Sequence, residues 1–320
     1  MDNLQERLHF NGDLTTVLKK IVSDFNLGMI INHSVIQVGF EDYNVKLKTD
    51  SGEFVIKIFS KNRTQTEILR NIEIIQHAVN AGVNHPPVYY YNDSLLYTEP
   101  KSKLQLIVMK FINGKTFYDM SRSPDSNELA QIAAQAVKIN NIDHAPPFLF
   151  DSWAVSNLKP LYENTKDHLD TDTRQLVEQV IVIYNAMPFS QLPTCFVHGD
   201  IIKSNLIKGN DGKIYIIDFS VANTYPRIQE LAVIAANLLA GENQTLSERV
   251  QRITDAYLTA GGTLTSVEID NLFNYALVAA AMEYLGSINE RLENGESDEV
   301  SYWQNQGIES LREALRLKAE

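Results

Sequence analysis

The spacing of hydrophobic positions changes about one third of the way along the chain. Strand-like runs occupy residues 34–40, 44–50 and 54–59, and the Asp50-Ser51-Gly52 turn predicts a hairpin between the last two. Apolar residues at helical spacing predict helices over 12–27 and 62–80, and strand-like runs return at 85–91 and 103–111. Residues 1–110 are therefore predicted to form a small, mainly antiparallel sheet with one inserted helix.

The remainder of the chain, residues 111–320, has mostly helical spacing and begins at a crossing segment, FINGKTF (111–117). One stretch, 196–220, breaks the helical pattern with a predicted strand, loop, strand, turn and strand. The pattern thus predicts an α+β protein with a smaller N-terminal lobe, 1–110, and a larger helical C-terminal lobe, 111–320. The predicted helices cover residues 126–141, 156–187, 228–240, 245–260, 266–292 and 302–318.

The charge distribution narrows the possible partners. Acidic and basic side chains balance in residues 1–110, so the whole net charge of −12 falls on residues 111–320. Without a basic run the chain is not expected to bind nucleic acid, whereas an acidic half favours a cationic small substrate. The charged N-terminus and apolar stretches too short to cross a bilayer predict a cytoplasmic protein with no membrane association. The single cysteine, Cys195, cannot form a disulfide within the chain.

Three polar residues interrupt the apolar stretch FVHGDIIKSNLIKGNDGKIYIIDFS (196–220): Asp200, Asn205 and Asp218. A hairpin closing at the turn 209–212 would pair Asn205 near Ile216, so Asp218 would lie close to Asn205. Neighbouring carboxylates repel each other unless a cation neutralises them. Asn and Asp oxygens suit Mg²⁺, which predicts a metal site with one carboxylate left to accept a proton from a hydroxyl.

The order of these residues resembles a known constellation. His198-Gly199-Asp200, then Asn205 and then Ile217-Asp218-Phe219 resemble the catalytic and metal-binding loops of the protein-kinase-like fold. The HGD form and the segment ANTYPRIQELA (222–232), with Arg227 and Glu230-Leu231-Ala232, are similar to the aminoglycoside phosphotransferase/choline kinase family. The resemblance extends from about residue 34 to the C-terminus, and it implies a two-lobed kinase-like fold with a hinge near 109–114.

The resemblance implies roles for residues in the motif. Asp200 would orient a substrate hydroxyl and accept its proton, and Asn205 and Asp218 would hold Mg²⁺ against the nucleotide phosphates. His198 belongs to the catalytic group as a brace for the loop, with a role as base as the weaker alternative. Ser220 stands where protein kinases have Gly, and no activation segment follows it, so a small-molecule substrate is favoured over a protein.

In the N-terminal lobe the resemblance implies that Lys57 holds the nucleotide phosphates and pairs with a helix glutamate. Glu67 is slightly favoured by its spacing from Lys57, whereas Glu73 is favoured by its spacing to the segment that follows. Other implied nucleotide contacts come from the covering loop and from the hinge main chain. They are Gly39, Asn44, Met109, Lys110 and Ile112.

The predicted function is Mg²⁺-dependent transfer of phosphate from ATP or GTP to a hydroxyl of a small molecule, such as an amino sugar, an amino alcohol or a homoserine-like compound. The alternatives are a nucleotide-binding regulator with little turnover and, less favoured, a protein kinase. A monomer or a homodimer fits the sequence equally well. An acidic, aromatic pocket wall could come from late residues, although aromatic side chains at helical spacing are more often core: Trp153, Glu283, Tyr284, Tyr302 and Trp303.

Overall fold

A computed structural model describes residues 7–36, 42–241 and 244–319. The chain divides into two compact units. Unit 1 consists of Met1–Gln76 and His85–Asn113, and unit 2 consists of His77–Asn84 and Gly114–Glu320. The chain passes into unit 2 for the last time at Gly114, inside the predicted crossing segment 111–117. Residues 77–84 also belong to unit 2, which the sequence pattern did not predict.

Unit 1 contains an antiparallel sheet in the order β1-β2-β3-β6-β4, with β5 also pairing with β6. The hairpin between β2 and β3 has Thr49 opposite Gly52, as expected for a turn at Asp50-Ser51. The described strands are β1 (Ile30–Ile36), β2 (Tyr43–Thr49), β3 (Gly52–Ile58), β4 (Val88–Tyr89), β5 (Tyr97–Thr98) and β6 (Gln105–Lys110).

Helices α1 (Leu14–Asp24) and α2 (Gln65–Asn80) accompany this sheet, and the C-terminal end of α2 belongs to unit 2. Asp13 begins α1 by accepting the N–H groups of Thr15 and Thr16, which satisfies donors that the first helical turn leaves free. The apolar stripe of α1 is buried in the same core as β2 and β3. Burial of this stripe explains why the periodicity of the sequence predicted α1 correctly.

Unit 2 is mainly helical, and its described residues form two short antiparallel sheets. Strands β7, β9 and β10 form one antiparallel sheet, and β8 pairs with β11. The strands are β7 (Gly114–Thr116), β8 (Thr194–Val197), β9 (Leu206–Gly209), β10 (Ile214–Ile216) and β11 (Asn223–Pro226). The helices are α3 (Ser126–Asn140), α4 (Leu158–Thr165), α5 (Thr171–Ala186), α6 (Ile228–Val233), α7 (Leu246–Thr259), α8 (Ser266–Asn294) and α9 (Asp298–Ala319).

Two predicted helices differ from the structure. The predicted helix over 156–187 is interrupted near Asp170, because Asp170 leaves the helical conformation and caps α5 through the N–H of Thr173. The predicted helix over 228–240 changes from α6 to a π-helical turn at Ile234–Leu238. A hydrophobic pattern cannot register either change, since apolar residues continue on both sides.

No helix in the described ranges is both long enough and apolar enough to span a bilayer. This holds for α8, the longest of them, although sixteen of its residues are buried.

The antiparallel neighbours α8 and α9 approach closely at Gly307. A Cβ at this position would lie 2.7 Å from the N atom of Tyr284 and 3.0 Å from the carbonyl oxygen of Ala280. Both are main-chain atoms, so only a shift of a helix would relieve the overlap.

We predict that Gly307→Ala destabilises the protein by about 1–2 kcal/mol, although alanine is the better helix former by about 1 kcal/mol. Chemical and thermal unfolding monitored by circular dichroism measure the change. Asn305→Ala, on the exposed side of α9, is the matched control and should not lower stability. An unchanged or raised midpoint for Gly307→Ala would mean that the helices do not pack this tightly.

Candidate active site

The β9–β10 hairpin brings Asn205 and Asp218 to the same end of a small sheet. Leu206 is opposite Ile216, and the N–H of Ile217 donates to the carbonyl oxygen of Asn205 at 3.0 Å. The pairing is thus offset by one residue from the predicted partnership of Asn205 with Ile216, which leaves Asp218 one step from Asn205. Asp218 has a positive φ of 63°, a conformation that Asp tolerates better than most residues and that often occurs at functional sites.

Asp200 and Asn205 are joined directly across the loop between β8 and β9. The Nδ2 of Asn205 donates to the Oδ2 of Asp200 at 2.7 Å and to its carbonyl oxygen at 3.1 Å. Since both bonds use the amide nitrogen, Oδ1 of Asn205 is the atom left to accept from or coordinate a ligand. Asn205, Asp200 and Asp218 are all partly exposed, so a ligand can reach them.

His198 connects the loop to the residue that precedes Asp218. Its Nε2 donates to the carbonyl oxygen of Ile217 at 3.1 Å, and its Nδ1 accepts the N–H of Asp200 at 3.1 Å. Burial lowers the pKa of His198 to about 4, so the ring is neutral with its proton on Nε2. Both ring nitrogens are thus bonded to main chain, which is the geometry that the predicted bracing role needs; both roles of His198 stay predictions.

Glu230 supports the same turn from α6. Its carboxylate accepts the N–H of His198 at 3.3 Å and that of Gly199 at 3.0 Å. The side chain is fully buried, and burial raises its pKa to about 7. Gly199 has a φ of 84°, so the turn that presents Asp200 requires the conformational freedom of glycine.

Asp200 lies in an acidic environment. Desolvation by the surrounding protein, together with the negative charges of Asp151 and Asp218, raises its pKa to about 7 against the opposing effect of the hydrogen bond from Asn205. Asp151 belongs to a loop without a motif, so no signal in the sequence pointed to it. The loop lies alongside β8 and β11. The main chain of Leu149 exchanges two hydrogen bonds with the Asn223 side chain, and Ala154 packs on Val197 and Tyr225.

The donor set suits a hard divalent cation. Asn205 offers an amide oxygen and Asp218 a carboxylate, and Mg²⁺ prefers such oxygen ligands together with water and phosphate. The negative charge gathered by Asp151, Asp200 and Asp218 is also unfavourable without a cation. The residues therefore fit the predicted Mg²⁺ site on their chemistry.

Arg227 anchors the segment that follows β11. Its guanidinium forms two hydrogen bonds to Glu268, with Nε at 2.9 Å and a terminal nitrogen at 2.6 Å. Glu268 is fully buried and also caps α8 through Thr265. The Arg227 of the sequence motif is thus a structural link between the end of β11 and α8.

In unit 1, Lys57 contacts a carboxylate that the sequence analysis did not single out. Its Nζ lies 3.2 Å from Oδ2 of Asp42, and Asp42 also binds Arg63 through Nε at 2.8 Å. Cross-strand pairing puts Asn44 opposite Lys57, so Asp42 is the diagonal neighbour on the same face of the hairpin. The hairpin register was the signal that could have found this pair.

The described contacts do not decide which helix glutamate pairs with Lys57. The Glu67 carboxylate accepts both the N–H and the hydroxyl of Thr64, at 2.7 Å and 2.9 Å, and so helps to start α2. Glu73 is exposed on the same helix. Both assignments therefore stay predictions.

The predicted hinge contacts lie at and beyond the end of β6. The N–H of Lys110 donates to the carbonyl oxygen of Pro87 at 2.8 Å, and Met109 is paired within the sheet. A contact of Lys110 to a purine would therefore use its carbonyl oxygen. Ile112 follows the strand with a partly exposed side chain, whereas Gly39 of the predicted covering loop lies outside the described residues.

The late residues predicted as a pocket wall have mixed surroundings. Glu283, Tyr284 and Trp303 are buried, which fits the core interpretation. Tyr302 packs against Trp303, with ring centroids 4.7 Å apart. Trp153 is 41% exposed and lies against α8 at Gly286, so it is the member of the set best placed to meet a ligand.

Comparison with known sequences agrees with this constellation of residues. Residues 33–266 match the phosphotransferase enzyme family, APH, so the chain belongs to this family and the predicted resemblance is confirmed. A homoserine kinase from Bartonella tribocorum is 22% identical over 212 residues, 64% of this chain and 64% of its own length. A homoserine kinase from Janthinobacterium sp. is 22% identical over 246 residues, 75% of each chain.

Solved structures give the same fold. A spectinomycin phosphotransferase in complex with ADP and spectinomycin has a TM-score of 0.69 at 13% identity, covering 95% of this chain and 99% of its own. A choline kinase from Streptococcus pneumoniae has a TM-score of 0.64 at 12% identity, covering 93% and 99%. The predicted kinase-like α+β fold is therefore confirmed, with the antiparallel sheet in the N-terminal region and the helices in the C-terminal part.

We predict that Glu230→Gln changes how stability depends on pH. Because folding raises the pKa of Glu230 from 4.5 to about 7, its contribution to stability is complete below pH 4.5 and is lost as the pH rises through about 7. Gln cannot ionise, so across this window the variant should gain about 3 kcal/mol relative to the wild type.

Urea unfolding at pH steps from 4.5 to 8 measures this difference. Glu309→Gln, on the exposed side of α9, is the control and should run parallel to the wild type. Parallel curves for Glu230→Gln as well would show that Glu230 ionises as easily in the folded protein as in the unfolded chain.

Proposed function

We propose that this protein is a small-molecule kinase that transfers the γ-phosphate of ATP or GTP to a hydroxyl group in the presence of Mg²⁺. The observation that carries the proposal is the hydrogen-bonded pair of Asp200 and Asn205, with Asp218 one step beyond the same hairpin. Membership of the phosphotransferase family supports it. The homoserine kinases among the relatives make homoserine and other amine-bearing alcohols the first acceptors to test.

In this proposal Asp200 binds the acceptor hydroxyl and receives its proton. A base works best when its pKa is near the working pH, and the pKa of Asp200 is raised to about 7. The hydrogen bond from Asn205 engages Oδ2 of Asp200, so Oδ1 is the oxygen proposed to bind the hydroxyl. Positioning and electrostatics supply most of the acceleration in phosphoryl transfer, so the rigidity of this pair is its main contribution.

Asn205 and Asp218 are the proposed Mg²⁺ ligands, and Lys57 is the proposed partner of the nucleotide phosphates. Bound Mg²⁺ would neutralise charge on the phosphates during transfer. Asn44, Met109, Lys110, Ile112 and Gly39 remain proposed nucleotide contacts. A cationic acceptor is supported by the acidic surroundings of Asp200, where Asp151 adds a further negative charge.

The main alternative is a nucleotide-binding regulator with little turnover. The presence of Lys57, Asp200, Asn205 and Asp218 together argues for catalysis, since each has a separate task in the reaction. Release of ADP and GDP with Mg²⁺, measured across homoserine, choline, ethanolamine, spectinomycin and other aminoglycosides, tests the proposal. Release that requires one acceptor supports a kinase, whereas nucleotide binding without release for any acceptor supports the regulator.

We predict that Asp200→Asn lowers kcat by about 10²–10⁴-fold and leaves nucleotide affinity within a few-fold of the wild type. The amide keeps the shape of the carboxylate but cannot accept the hydroxyl proton. Steady-state kinetics with the best acceptor, together with calorimetric titration of nucleotide, measure the two quantities. Asp211→Asn, in the exposed β9–β10 turn, is the control, and full activity of Asp200→Asn would remove Asp200 from the mechanism.

We predict that Asp218→Asn removes most of the Mg²⁺ dependence of nucleotide binding. Asn is chosen because it also tolerates the positive φ at this position, so the backbone should be unchanged. Nucleotide affinity measured in EDTA and in increasing Mg²⁺ should rise with metal in the wild type and hardly rise in the variant. An equal rise in both proteins would place the metal ligand elsewhere.

A further inference from the structure

Lys203 lies inside the proposed catalytic loop, residues 198–205, and is almost completely buried. Only 2% of the residue is exposed, and it lies in the 3₁₀ turn Lys203–Asn205. Its ammonium donates to the carbonyl oxygen of Ala240 at 2.7 Å, to the hydroxyl of Tyr302 at 2.9 Å and to Oε1 of Gln306 at 3.0 Å. A buried ammonium is costly unless its donors are satisfied, and these three acceptors match its three N–H bonds.

The main chain of Lys203 is held from the same side. Its N–H donates to Oδ1 of Asn237 at 3.2 Å. Asn237 belongs to the π-helical turn Ile234–Leu238, and such turns occur mostly as single-turn bulges within α-helices, frequently at functional sites. Both ends of Lys203 are therefore fixed by residues far away in sequence, Asn237 for the main chain and Gln306 for the side chain.

Glu283 joins these two partners. Its Oε1 accepts the amide of Asn237 and the amide of Gln306, each at 2.7 Å. The four residues Lys203, Asn237, Glu283 and Gln306 thus form a closed hydrogen-bonded circuit, which we name the polar ring. Gly307, next to Gln306, permits the close approach of α9 to α8 that lets Gln306 reach Glu283.

The second carboxylate oxygen of Glu283, Oε2, takes no part in the polar ring. Oε2 is buried and has no hydrogen-bond partner among the described residues. Burial also raises the pKa of Glu283 to about 8, so at neutral pH the group is mainly a neutral acid whose Oε1 serves as a carbonyl-like acceptor. A glutamine could supply the same acceptor, whereas a leucine would leave two buried amides unsatisfied.

We propose that Glu283 is a positioning residue, which orients Asn237 and Gln306 so that they hold both ends of Lys203 and thereby fix Asp200 relative to Asn205. Lys203 lies between these two residues in the chain, and the N–H of Asn205 bonds back to Ile202 within the same turn. The inferred effect of Glu283 on catalysis rests on the proposed function, whereas its inferred effect on the loop is independent of that function. Glu283 would act at a distance, without contact to a substrate.

The test compares Glu283→Gln with Glu283→Leu by hydrogen exchange and by kinetics. In Glu283→Leu, the amides of residues 200–206 should exchange about tenfold faster, while those of β8 and of α8 beyond the substituted turn stay at the wild-type rate. With an identified acceptor, kcat should fall at least about tenfold and nucleotide affinity should stay within about threefold. Glu283→Gln should restore both quantities to within about threefold of the wild type.

Gln306→Leu keeps the inference testable if Glu283→Leu does not fold. It removes the contacts of Gln306 to Glu283 and to the Lys203 ammonium, but it leaves Asn237 bonded both to Glu283 and to the main chain of Lys203. It should increase exchange in residues 200–206 by a smaller factor, and where both single variants fold, their combined effect should be less than the product of the two. Equal impairment of Glu283→Gln and Glu283→Leu would overturn the inference, as would faster exchange throughout unit 2 without a local excess at 200–206.

The hydrogen-exchange and kinetic measurements distinguish the proposed function from the proposed role of Glu283. If the wild type transfers phosphate to no acceptor while exchange responds as described, the proposed function fails and the polar ring remains. If the wild type is active and Glu283→Leu retains the wild-type kcat, the positioning role is wrong although the protein is a kinase.

Discussion

The neutral imidazole of His198 holds together the two segments on which the candidate site is built. One ring nitrogen accepts the N–H of Asp200 and the other donates to the carbonyl oxygen of Ile217, the residue before Asp218. A protonated ring could not accept the first of these bonds, and burial keeps the ring neutral because it lowers the pKa to about 4. The positions of the proposed base and metal ligand thus depend on one uncharged side chain.

Two buried acids also support the loop. Glu230 must be buried to reach the N–H groups of His198 and Gly199, and Glu283 must be buried to bridge Asn237 and Gln306. The same desolvation raises the pKa of Glu230 to about 7 and that of Glu283 to about 8. Buried acids that position the loop therefore make the protein less stable as the pH rises. Such a loss of stability is typical of sites where function needs a fixed geometry.

Much of the candidate site was predictable because its residues are close in sequence. A tight turn fixes the register of β9 and β10, so the distance between Asn205 and Asp218 follows from local rules, with an error of one residue. The antiparallel sheet of unit 1 was predictable for the same reason. Asp151 and the π-helical turn at Ile234–Leu238 were not, because no periodicity or short motif marks a contact between distant segments.

The polar ring shows what such distant contacts can add to a motif. The sequence motif supplies Asp200, Asn205 and Asp218, but the turn between the first two is held by Asn237 in the π-helical turn, by Glu283 on α8 and by Gln306 on α9. The members of such a circuit orient one another, so a change in one helix would be transmitted to the loop. The helices of the C-terminal part would then influence turnover through Lys203 without touching the acceptor, and substitutions on α8 or α9 need not signify contact with substrate.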